Sequence, residues 1–351
     1  MKEGNTGKLI SHSDLLVFAT SVFEAAGADQ ENARIVGEHL VEASLRGVDS
    51  HGVVRVPVYV QGITEGAIDP AAKPEVAKET ETTAVVDGKR GFGQVAALLA
   101  TRVAAEKAKK SGTAAVGAKD LNHVGVLGYY GGILARQGFV GKAYTSGFPR
   151  AAPWGGREKL FGTNPLCFAF PVGDGDPIVI DIATTAVAGF KIIQAAKAGR
   201  AIPEGWAVDP DGSPTTDPKL GLQGSMMPMA GHKGYGLAVS VEILSRILAG
   251  NVQRKMTREV AYTQAGFLVE AIHVGAFREE ADYYRDVAEL VAQIRNSAPA
   301  RGFDRVLLPG EPEEISRVRR AKEGIPVEAT TWKEFEDVAA RFSVELPPPQ
   351  G

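Results

Sequence analysis

Strand-like and helix-like sequence patterns alternate over most of the chain, from about residue 80 to about residue 310. Thr82–Gly88 and Thr113–Gly117 resemble strands bounded by turns, and the periodicity of Gln94–Lys110 predicts a helix between them. The same signals predict further strands at Pro74–Val76, Val140–Thr145, Ile178–Asp181, Phe267–His273 and Arg305–Leu308, and further helices at Tyr129–Gln137, Gly234–Leu248 and Glu279–Ile294. Because strands that alternate with helices pack as layers around a sheet, we expect an α/β fold.

The two ends of the chain have helical patterns instead. Ser13 and Asp29 are suitable N-cap residues for two successive amphipathic helices near the N-terminus. The last 50 or so residues hold two more helical segments. We therefore predict an α/β domain over residues 79–308 and a second, helical domain built from residues 1–78 and 309–351.

Composition and charge exclude several classes of protein. Of the 351 residues, 44% are hydrophobic and 23% are charged, and the net charge is -3, so the chain offers no broad positive field to a nucleic acid. No apolar stretch approaches the roughly 20 residues that span a membrane, and the polar N-terminus shows no secretory signal. The single cysteine, Cys167, cannot form a disulfide within the chain, which favours a reducing compartment such as the cytoplasm.

The glycine-rich segments do not match the common nucleotide-binding fingerprints. Gly88–Gly93 and Gly125–Gly131 have the wrong spacing for the Rossmann pattern G-x-G-x-x-G, and no phosphate P-loop is present. A bound nucleotide would therefore need another device, such as helix N-termini or glycine-lined backbone N–H groups.

One of the six histidines, His51, lies between glycines and close to two arginines. The segment Arg46–Arg55 reads R-G-V-D-S-H-G-V-V-R, which suits a turn that presents polar groups. An imidazole can exchange protons near neutral pH, and either arginine could bind a substrate carboxylate through two hydrogen bonds. The alternative is a helix-to-turn junction whose arginines make surface ion pairs.

Two more histidines, His123 and His232, each precede a predicted helix. His123 also follows a predicted strand, which is where α/β sheets usually bind ligands. His232 stands beside Lys233, and together with backbone N–H groups the pair could hold a phosphate or a carboxylate. A helix cap or core histidine at 123, and a close glycine-rich helix contact at 232, are the structural alternatives. The other three histidines, such as His39, are expected to be structural or exposed.

Two competing chemistries find little support. The histidine spacings match no zinc pattern, so no metal ion is expected. Ser50 and Ser146 could serve a Ser-His-Asp hydrolase, but neither lies in G-x-S-x-G.

Five segments, taken together and in this order, resemble the malate/L-lactate dehydrogenase family of the non-Rossmann type. They are Arg46–Arg55, Asn122–Tyr130 (N-H-V-G-V-L-G-Y-Y), Ala152–Gly156 with Gly162–Pro165 (A-P-W-G-G and G-T-N-P), Asp181–Thr184 (D-I-A-T) and Gly231–Leu237 (G-H-K-G-Y-G-L). Relatives in that family include ureidoglycolate, sulfolactate and diketogulonate oxidoreductases and reductases of cyclic imino acids. The resemblance covers about residues 10 to 330.

The resemblance implies a mixed sheet flanked by helices, distinct from the Rossmann fold, and a homodimer with active sites near the subunit contact. It implies NADH or NADPH as cofactor and hydride transfer to or from C2 of a small 2-oxo or 2-hydroxy carboxylate, similar to malate, lactate or sulfolactate. Two alternatives stay open. One is reduction of a cyclic imino acid or N-alkyl imine, and the other is a non-catalytic binding protein on the same scaffold.

The resemblance also assigns roles to single residues. His51 is the best candidate for the acid/base, His123 is the other, and Asp181 would orient an imidazole or the nicotinamide. The residues expected to bind substrate are Arg55, Arg46 and Thr163. The residues expected to bind cofactor are Gly147, Asp181, Ile182, Ala183, His232, Lys233, Gly310 and Glu311.

Overall fold

A seven-stranded mixed sheet forms the centre of the protein. The computed structural model describes residues 7–173, 175–251 and 265–350. Its strands are β1 (Lys8–Ile10), β2 (Glu75–Glu79), β3 (Thr83–Asp87), β4 (Thr113–Leu121), β5 (Phe139–Thr145), β6 (Leu166–Phe170), β7 (Ile178–Ile182), β8 (Ala207–Val208), β9 (Pro214–Thr215), β10 (Ser225–Met226), β11 (Ala265–His273) and β12 (Ile325–Val327). The large sheet has the order β2-β3-β4-β11-β5-β6-β7, and only its β3–β4 pair is parallel. This arrangement confirms the expected mixed sheet.

Helices cover both faces of this sheet. They are α1 (His12–Ala25), α2 (Gln30–Leu45), α3 (Arg55–Thr64), α4 (Gly93–Ser111), α5 (Leu127–Ala135), α6 (Gly189–Lys197), α7 (Pro218–Gln223), α8 (His232–Val241), α9 (Glu280–Arg295), α10 (Glu311–Glu323) and α11 (Ala329–Phe342). Helices α4 and α5 pack on one face, where buried alanines of α4 let it approach the strands closely. A π-helical segment, Glu242–Leu248, continues α8 and covers the other face at β11, where Gly266 meets its backbone.

The two ends of the chain pack against each other. Strand β1 pairs antiparallel with β12, α11 packs on α1 and α3, and α10 packs on α2. The rings of Phe18 and Phe335 lie 4.8 Å apart within this contact. The predicted boundary between residues 78 and 79 falls inside β2, and residues 1–6 and 351 of the predicted helical domain lie outside the described part. One apolar core runs from these helices into the sheet.

A smaller unit lies beside the large sheet. Strands β8, β9 and β10 form a three-stranded sheet, and α6 and α7 pack next to it around a second apolar cluster that includes Ile192 and Met226. No helix among the described residues is long and apolar enough to cross a membrane.

Three local predictions were wrong. Arg305–Leu308 is not a strand: it forms no ladder with the outer edge of β7, and the one backbone contact nearby runs from the Val179 N–H to the carbonyl of the following Pro309, at 3.4 Å. Helix α1 is capped by Ser11, whose hydroxyl accepts the Asp14 N–H at 3.0 Å, and Ser13 lies inside the helix. The predicted helix Gly234–Leu248 is half α-helix and half π-helix.

Candidate active site

A deep cleft of about 2300 Å³ opens between the terminal helices and the β7 edge of the sheet. Its walls come from the start of α3, the loop between β4 and α5, the ends of β5 and β7, and the turn before α10. Pockets for drug-sized ligands measure about 300–1000 Å³, so this cleft has room for a dinucleotide and a small acid together.

Two of the predicted histidines, His51 and His123, meet in the cleft with ring centroids 5.2 Å apart. His51 ends a single 3-10 turn, Asp49–His51, just before α3, whereas His123 lies in the loop between β4 and α5. The two residues are 72 positions apart in the sequence, and it is the packing of the N-terminal helices against the sheet that brings them together.

Each of these imidazoles is held through Nδ1. The Ser50 hydroxyl lies 2.8 Å from Nδ1 of His51, and the Tyr59 hydroxyl lies 2.7 Å from Nδ1 of His123. Gln94 Nε2 in turn donates to the Tyr59 oxygen at 2.7 Å. In both rings Nε2 is left for a ligand in the cleft, so either can exchange a proton with a bound molecule.

Burial keeps these two imidazoles neutral. Loss of solvation, followed by the Arg55 charge, lowers the pKa of His51 to about 3. The same two causes, with His51 and His39, hold the pKa of His123 well below its ordinary value. A neutral imidazole is a base, and a substrate anion bound beside it would favour its protonated form.

A third histidine, His39, supports the loop that carries His123. It lies on α2 with 1% of its surface exposed, and its Nε2 accepts the Val126 N–H at 2.9 Å. Gly125 is required beside it, because a Cβ at that position would lie 2.0 Å from Nε2 and the backbone there has a φ of +78°. His39 is therefore structural, one of the two outcomes expected from the sequence.

Asp181, at the end of β7, borders the same cleft as His51 and His123. Its Oδ2 accepts the Gly128 N–H at 2.7 Å, which ties the strand end to the start of α5. Desolvation by the surrounding protein, reinforced by the Glu313 charge, outweighs that hydrogen bond and raises the pKa of Asp181 to about 6. The carboxyl group therefore changes its charge close to neutral pH.

Three arginines of the cleft, Arg55, Arg90 and Arg150, form no ion pair with a described residue, but Arg90 already donates from a terminal nitrogen to the Gly66 carbonyl at 2.6 Å. Arg55 donates from Nε to the Ser50 carbonyl at 2.6 Å, which leaves its terminal nitrogens available. Burial and the nearby Arg55 charge lower the pKa of Arg150. Arg46 also lines the cleft, but its side chain is paired with Glu42 and Glu314, so it is less available to a substrate than the sequence suggested.

The predicted cofactor and substrate residues divide into two groups. Those that line the cleft are Thr163, Gly147, Ile182, Ala183 and Gly310. Those that do not are His232, Lys233 and Glu311. Glu311 instead accepts the Leu308 N–H at 2.8 Å and pairs with Arg295.

His232 and Lys233 lie outside this cleft, and their predicted contact with the cofactor stays a prediction. The chain turns sharply at Ala230 and Gly231, with φ values of +49° and +63°, before α8 begins. This bend leaves both side chains exposed to solvent, with Gly231 beside the Trp154 ring.

Sequence reasoning missed four residues of the site: Ser50 as a partner of His51, and Tyr59, Gln94 and Arg150. Arg150 could have been identified from the sequence, because this cation lies between a predicted strand and the A-P-W-G-G segment. Tyr59 and Gln94 had none, since their contacts join residues 35 and 64 positions apart. Within the described ranges, no group of three His, Cys, Asp or Glu side chains could hold a metal ion.

Comparison with known proteins gives a consistent result along the chain. A family model described as malate/L-lactate dehydrogenase matches residues 10–336. The chain is 37% identical to the L-sulfolactate dehydrogenase of Methanocaldococcus jannaschii over 329 residues, 93% of this chain and 94% of that protein. It is 35% identical to the malate/(S)-sulfolactate dehydrogenase of Methanothermus fervidus, over 96% of this chain and 99% of that one. Among solved structures, malate dehydrogenase from Entamoeba histolytica has a similar fold, with a TM-score of 0.93 and 32% identity over 97% of this chain and 100% of that chain.

Proposed function

Because the chain belongs to the malate/L-lactate dehydrogenase family, we propose that it transfers a hydride between NADH or NADPH and C2 of a small 2-oxo or 2-hydroxy carboxylate that carries a second anionic group. Family membership itself makes the chain a hydroxy-acid dehydrogenase with a nicotinamide cofactor. The substrate, the choice of nucleotide and the roles of single residues are the proposed part.

The observation that carries this proposal is the pair of neutral imidazoles, His51 and His123, beside the unpaired Arg55 in one cleft. Oxidation of a 2-hydroxy acid requires a base for the hydroxyl proton, and reduction of a 2-oxo acid requires an acid for the new hydroxyl oxygen. Positioned acid–base groups of this kind contribute roughly 10²–10⁴-fold to a rate. A guanidinium that binds the carboxylate fixes the orientation of C2.

Of the two imidazoles, we favour His123 for the proton transfer. Its Nδ1 partner, Tyr59, is 2% exposed and is itself held by Gln94, so the ring is fixed from behind. His51 lies on one short turn next to exposed Asp49, and its partner Ser50 borders the cleft. His51, the better candidate on sequence alone, would then donate a hydrogen bond to the substrate.

Two unpaired guanidinium groups favour a dianionic substrate. Arg55 would bind the C1 carboxylate, and Arg150 would bind a carboxylate or sulfonate at the far end of the molecule. The charges of Arg55 and Arg150 repel each other, and a dianion bound between them would offset that repulsion. A cyclic imino acid has a single carboxylate and would leave one arginine unmatched, so the imine reductase is the less favoured alternative.

The cleft also fits a nicotinamide dinucleotide. Gly310, the residue before α10, lies in the cleft wall near β7. Ile182, which is 40% exposed, and Ala183 offer apolar surface for a flat ring, with Gly147 opposite. A nicotinamide held by these residues would supply the hydride chemistry at C2. The imidazole of His123 takes or supplies the matching proton, and Arg55 holds the carboxylate in place.

A homodimer in a reducing compartment such as the cytoplasm is part of the proposal. Leu237, Ile243 and Ile247 are 39%, 49% and 49% exposed along α8 and its π-helical continuation, which would suit a contact with a second copy. Sedimentation-velocity mass tests this pairing. The buried single cysteine, Cys167, is consistent with reducing conditions.

The deciding experiment follows NADH and NADPH oxidation at 340 nm with oxaloacetate, sulfopyruvate, pyruvate and piperideine-2-carboxylate. We expect turnover that favours the first two. Replacing the distal cation, Arg150→Met, should raise KM for the dianions by about 10- to 100-fold, the worth of one charged hydrogen-bonded contact, and should change KM for pyruvate little. Arg157→Met, at an exposed arginine outside the cleft, is the matched control.

Each contrary result has a distinct meaning. Preference for piperideine-2-carboxylate would replace the oxo-acid proposal with imine reduction. Cofactor binding without turnover of any compound would favour a non-catalytic binding protein. Equal losses for pyruvate and oxaloacetate in the Arg150 variant would remove that arginine from the second anion site.

A further inference from the structure

A buried chain of two neutral groups lies behind His123. Tyr59 and Gln94 are 2% and 1% exposed, and the contacts from Gln94 Nε2 to the Tyr59 oxygen and from that oxygen to His123 Nδ1 are both 2.7 Å. The other end of the Gln94 amide, Oε1, is buried and has no hydrogen-bond partner among the described residues. We infer that Gln94 and Tyr59 are positioning residues that form a two-state relay, in which the orientation of the Gln94 amide decides which ring nitrogen of His123 carries the proton.

In the first state, Gln94 Nε2 faces Tyr59. The amide donates to the phenol oxygen, so the single phenol hydrogen points at His123 Nδ1. Nδ1 is then an acceptor, and the neutral ring keeps its proton on Nε2, the nitrogen left for the cleft. This state can donate a hydrogen bond to a substrate oxygen, but it cannot accept a proton there.

In the second state, the amide is rotated by half a turn and Oε1 faces Tyr59. The phenol hydrogen now points at Gln94, so the phenol oxygen accepts from a protonated Nδ1. This state is compatible with the imidazolium, which donates a proton from Nε2 during reduction. It is also compatible with the neutral ring that is protonated on Nδ1, whose unprotonated Nε2 accepts a proton during oxidation. Each state leaves one end of the buried amide unpaired, so neither is strongly preferred and substrate can select between them.

Among the described residues, no group other than Tyr59 makes a hydrogen bond with Nδ1 of His123. The titratable and charged groups that face His123 are Arg55, His51 and Tyr59 from the α3 region, His39 from α2, and Asp181 across the cleft. Arg55 acts on His123 through its charge, His51 is neutral and meets it ring to ring, and His39 Nε2 is already engaged by the Val126 N–H. Burial raises the pKa of Tyr59 to about 12, so the phenol remains a neutral donor and acceptor and is not a second base.

The test uses two variants of nearly equal size, Gln94→Glu and Gln94→Met. A carboxylate at 94 can only accept from Tyr59, so it should lock the second state and stabilise the imidazolium. Oxo-acid reduction needs the imidazolium, so in Gln94→Glu the alkaline limb of the kcat/KM profile should move to higher pH. At a pH on that limb, kcat/KM should be about tenfold or more above wild type. Methionine removes the acceptor for the phenol hydrogen, so the same limb should move to lower pH. KM should change less than about twofold in both variants, because Gln94 does not line the cleft.

Two further proteins separate the relay from simpler explanations. Tyr59→Phe should lower kcat by about 10- to 100-fold, the worth of a hydrogen bond to a charged group. In the double variant Tyr59→Phe/Gln94→Glu the shift to higher pH should vanish. If that shift persists without the phenol, the carboxylate acts through its field alone and the relay is wrong. Equal pH profiles for wild type, Gln94→Glu and Gln94→Met would likewise reduce Gln94 to a packing role.

The relay rests on the proposed function, and a second readout keeps the two apart. ¹⁵N spectra of histidine-labelled protein, with the His123 signal assigned from a His123→Gln variant, report directly which ring nitrogen is protonated. We expect a neutral ring with its proton on Nε2 in Gln94→Met, and a protonated Nδ1 in Gln94→Glu.

If no oxo acid is turned over but the spectra differ in this way, the proposed function fails and the relay stands. Identical spectra overturn the relay whatever the activity. Should Gln94→Glu fail to fold, the comparison of Gln94→Met with wild type still decides.

Discussion

His123 and His232 have similar sequence surroundings and very different places in the molecule. Each lies next to a glycine-rich helix start, and each belongs to a segment that resembles a motif of the dehydrogenase family. His123 lies in the cleft with a buried tyrosine behind it, whereas His232 is exposed outside the cleft. The sequence alone makes both His123 and His232 candidates for the site. It does not show which of the two side chains lies in the cleft.

The difference arises from what packs behind each loop. The loop that carries His123 is held on three sides: His39 binds the Val126 N–H, Tyr59 binds the ring, and Asp181 binds the Gly128 N–H. The segment before α8 has its own anchor, from the Met229 N–H to the Thr184 carbonyl at 2.9 Å, but then bends outward. A histidine becomes a candidate catalytic group when the protein fixes it and removes its water, and only the first loop does both.

The largest expected effect comes from removing the fixed imidazole. His123→Ala should lower kcat for oxo-acid reduction by roughly 10²–10⁴-fold, the usual contribution of a general acid. Cofactor affinity, measured by fluorescence of bound NADH or NADPH, should stay close to wild type. His232→Ala is the matched variant and should keep kcat within a few-fold.

His51→Ala decides between the two histidines of the cleft. A smaller loss of kcat than in His123→Ala, with a higher KM, fits a hydrogen-bonding role. If His51→Ala abolishes turnover and His123→Ala does not, the proton role returns to His51, as the sequence alone suggested.

Much of the fold followed from local patterns. Periodicity predicted most strands and helices of the sheet region, because each element has an apolar face with its own repeat. It failed at Arg305–Leu308, where an apolar run has strand character but forms no ladder with the nearby edge strand β7. It also missed the switch to π-helix at Glu242, which depends on how this segment packs across β11.

The site was less accessible from the sequence than the fold. Motifs identified His51, His123 and Asp181, and all three border one cleft. The relay from Gln94 through Tyr59 could not be found, because neither residue is unusual in its local context and their partners are distant in sequence. Hydrogen-bond partners of this kind depend on the tertiary structure, and a single sequence carries no signal for them.

The next prediction concerns the burial of His39 behind the His123 loop. Burial lowers the pKa of His39 from 6.5 to about 3, so the folded protein keeps this imidazole neutral where the unfolded chain would be protonated. Stability from this group is therefore complete above pH 6.5 and is lost as the pH falls from 6.5 towards 3. The loss is about 1.4 kcal/mol for each pH unit per histidine.

His39→Gln tests this sign. Glutamine can still accept the Val126 N–H but does not titrate, so the fall in unfolding free energy between pH 6.5 and 5 should be shallower by about 1.4 kcal/mol per pH unit than in wild type. Urea unfolding at several pH values measures the slope, and the data at pH 8 give the cost of the substitution itself. Asp181, with its raised pKa, acts in the opposite sense but is present in both proteins and cancels in the difference. Parallel slopes would show that His39 is not kept neutral by the fold.

The smallest expected effect belongs to the α8 region. Lys233 is exposed and outside the cleft, so any attraction to a cofactor phosphate is screened by water and amounts to about 0.5 kcal/mol. Lys233→Met should therefore weaken cofactor binding by only about two- to threefold and leave kcat unchanged, as measured by fluorescence titration at two salt concentrations. Lys219→Met, at another exposed lysine, controls for the loss of a positive charge. A loss of tenfold or more that is confined to the Lys233 variant would place α8 at the cofactor, as its sequence motif implies. In that case His232 and Lys233 would lie outside the cleft only while no ligand is bound, because cofactor binding would have to move the start of α8 towards the cleft.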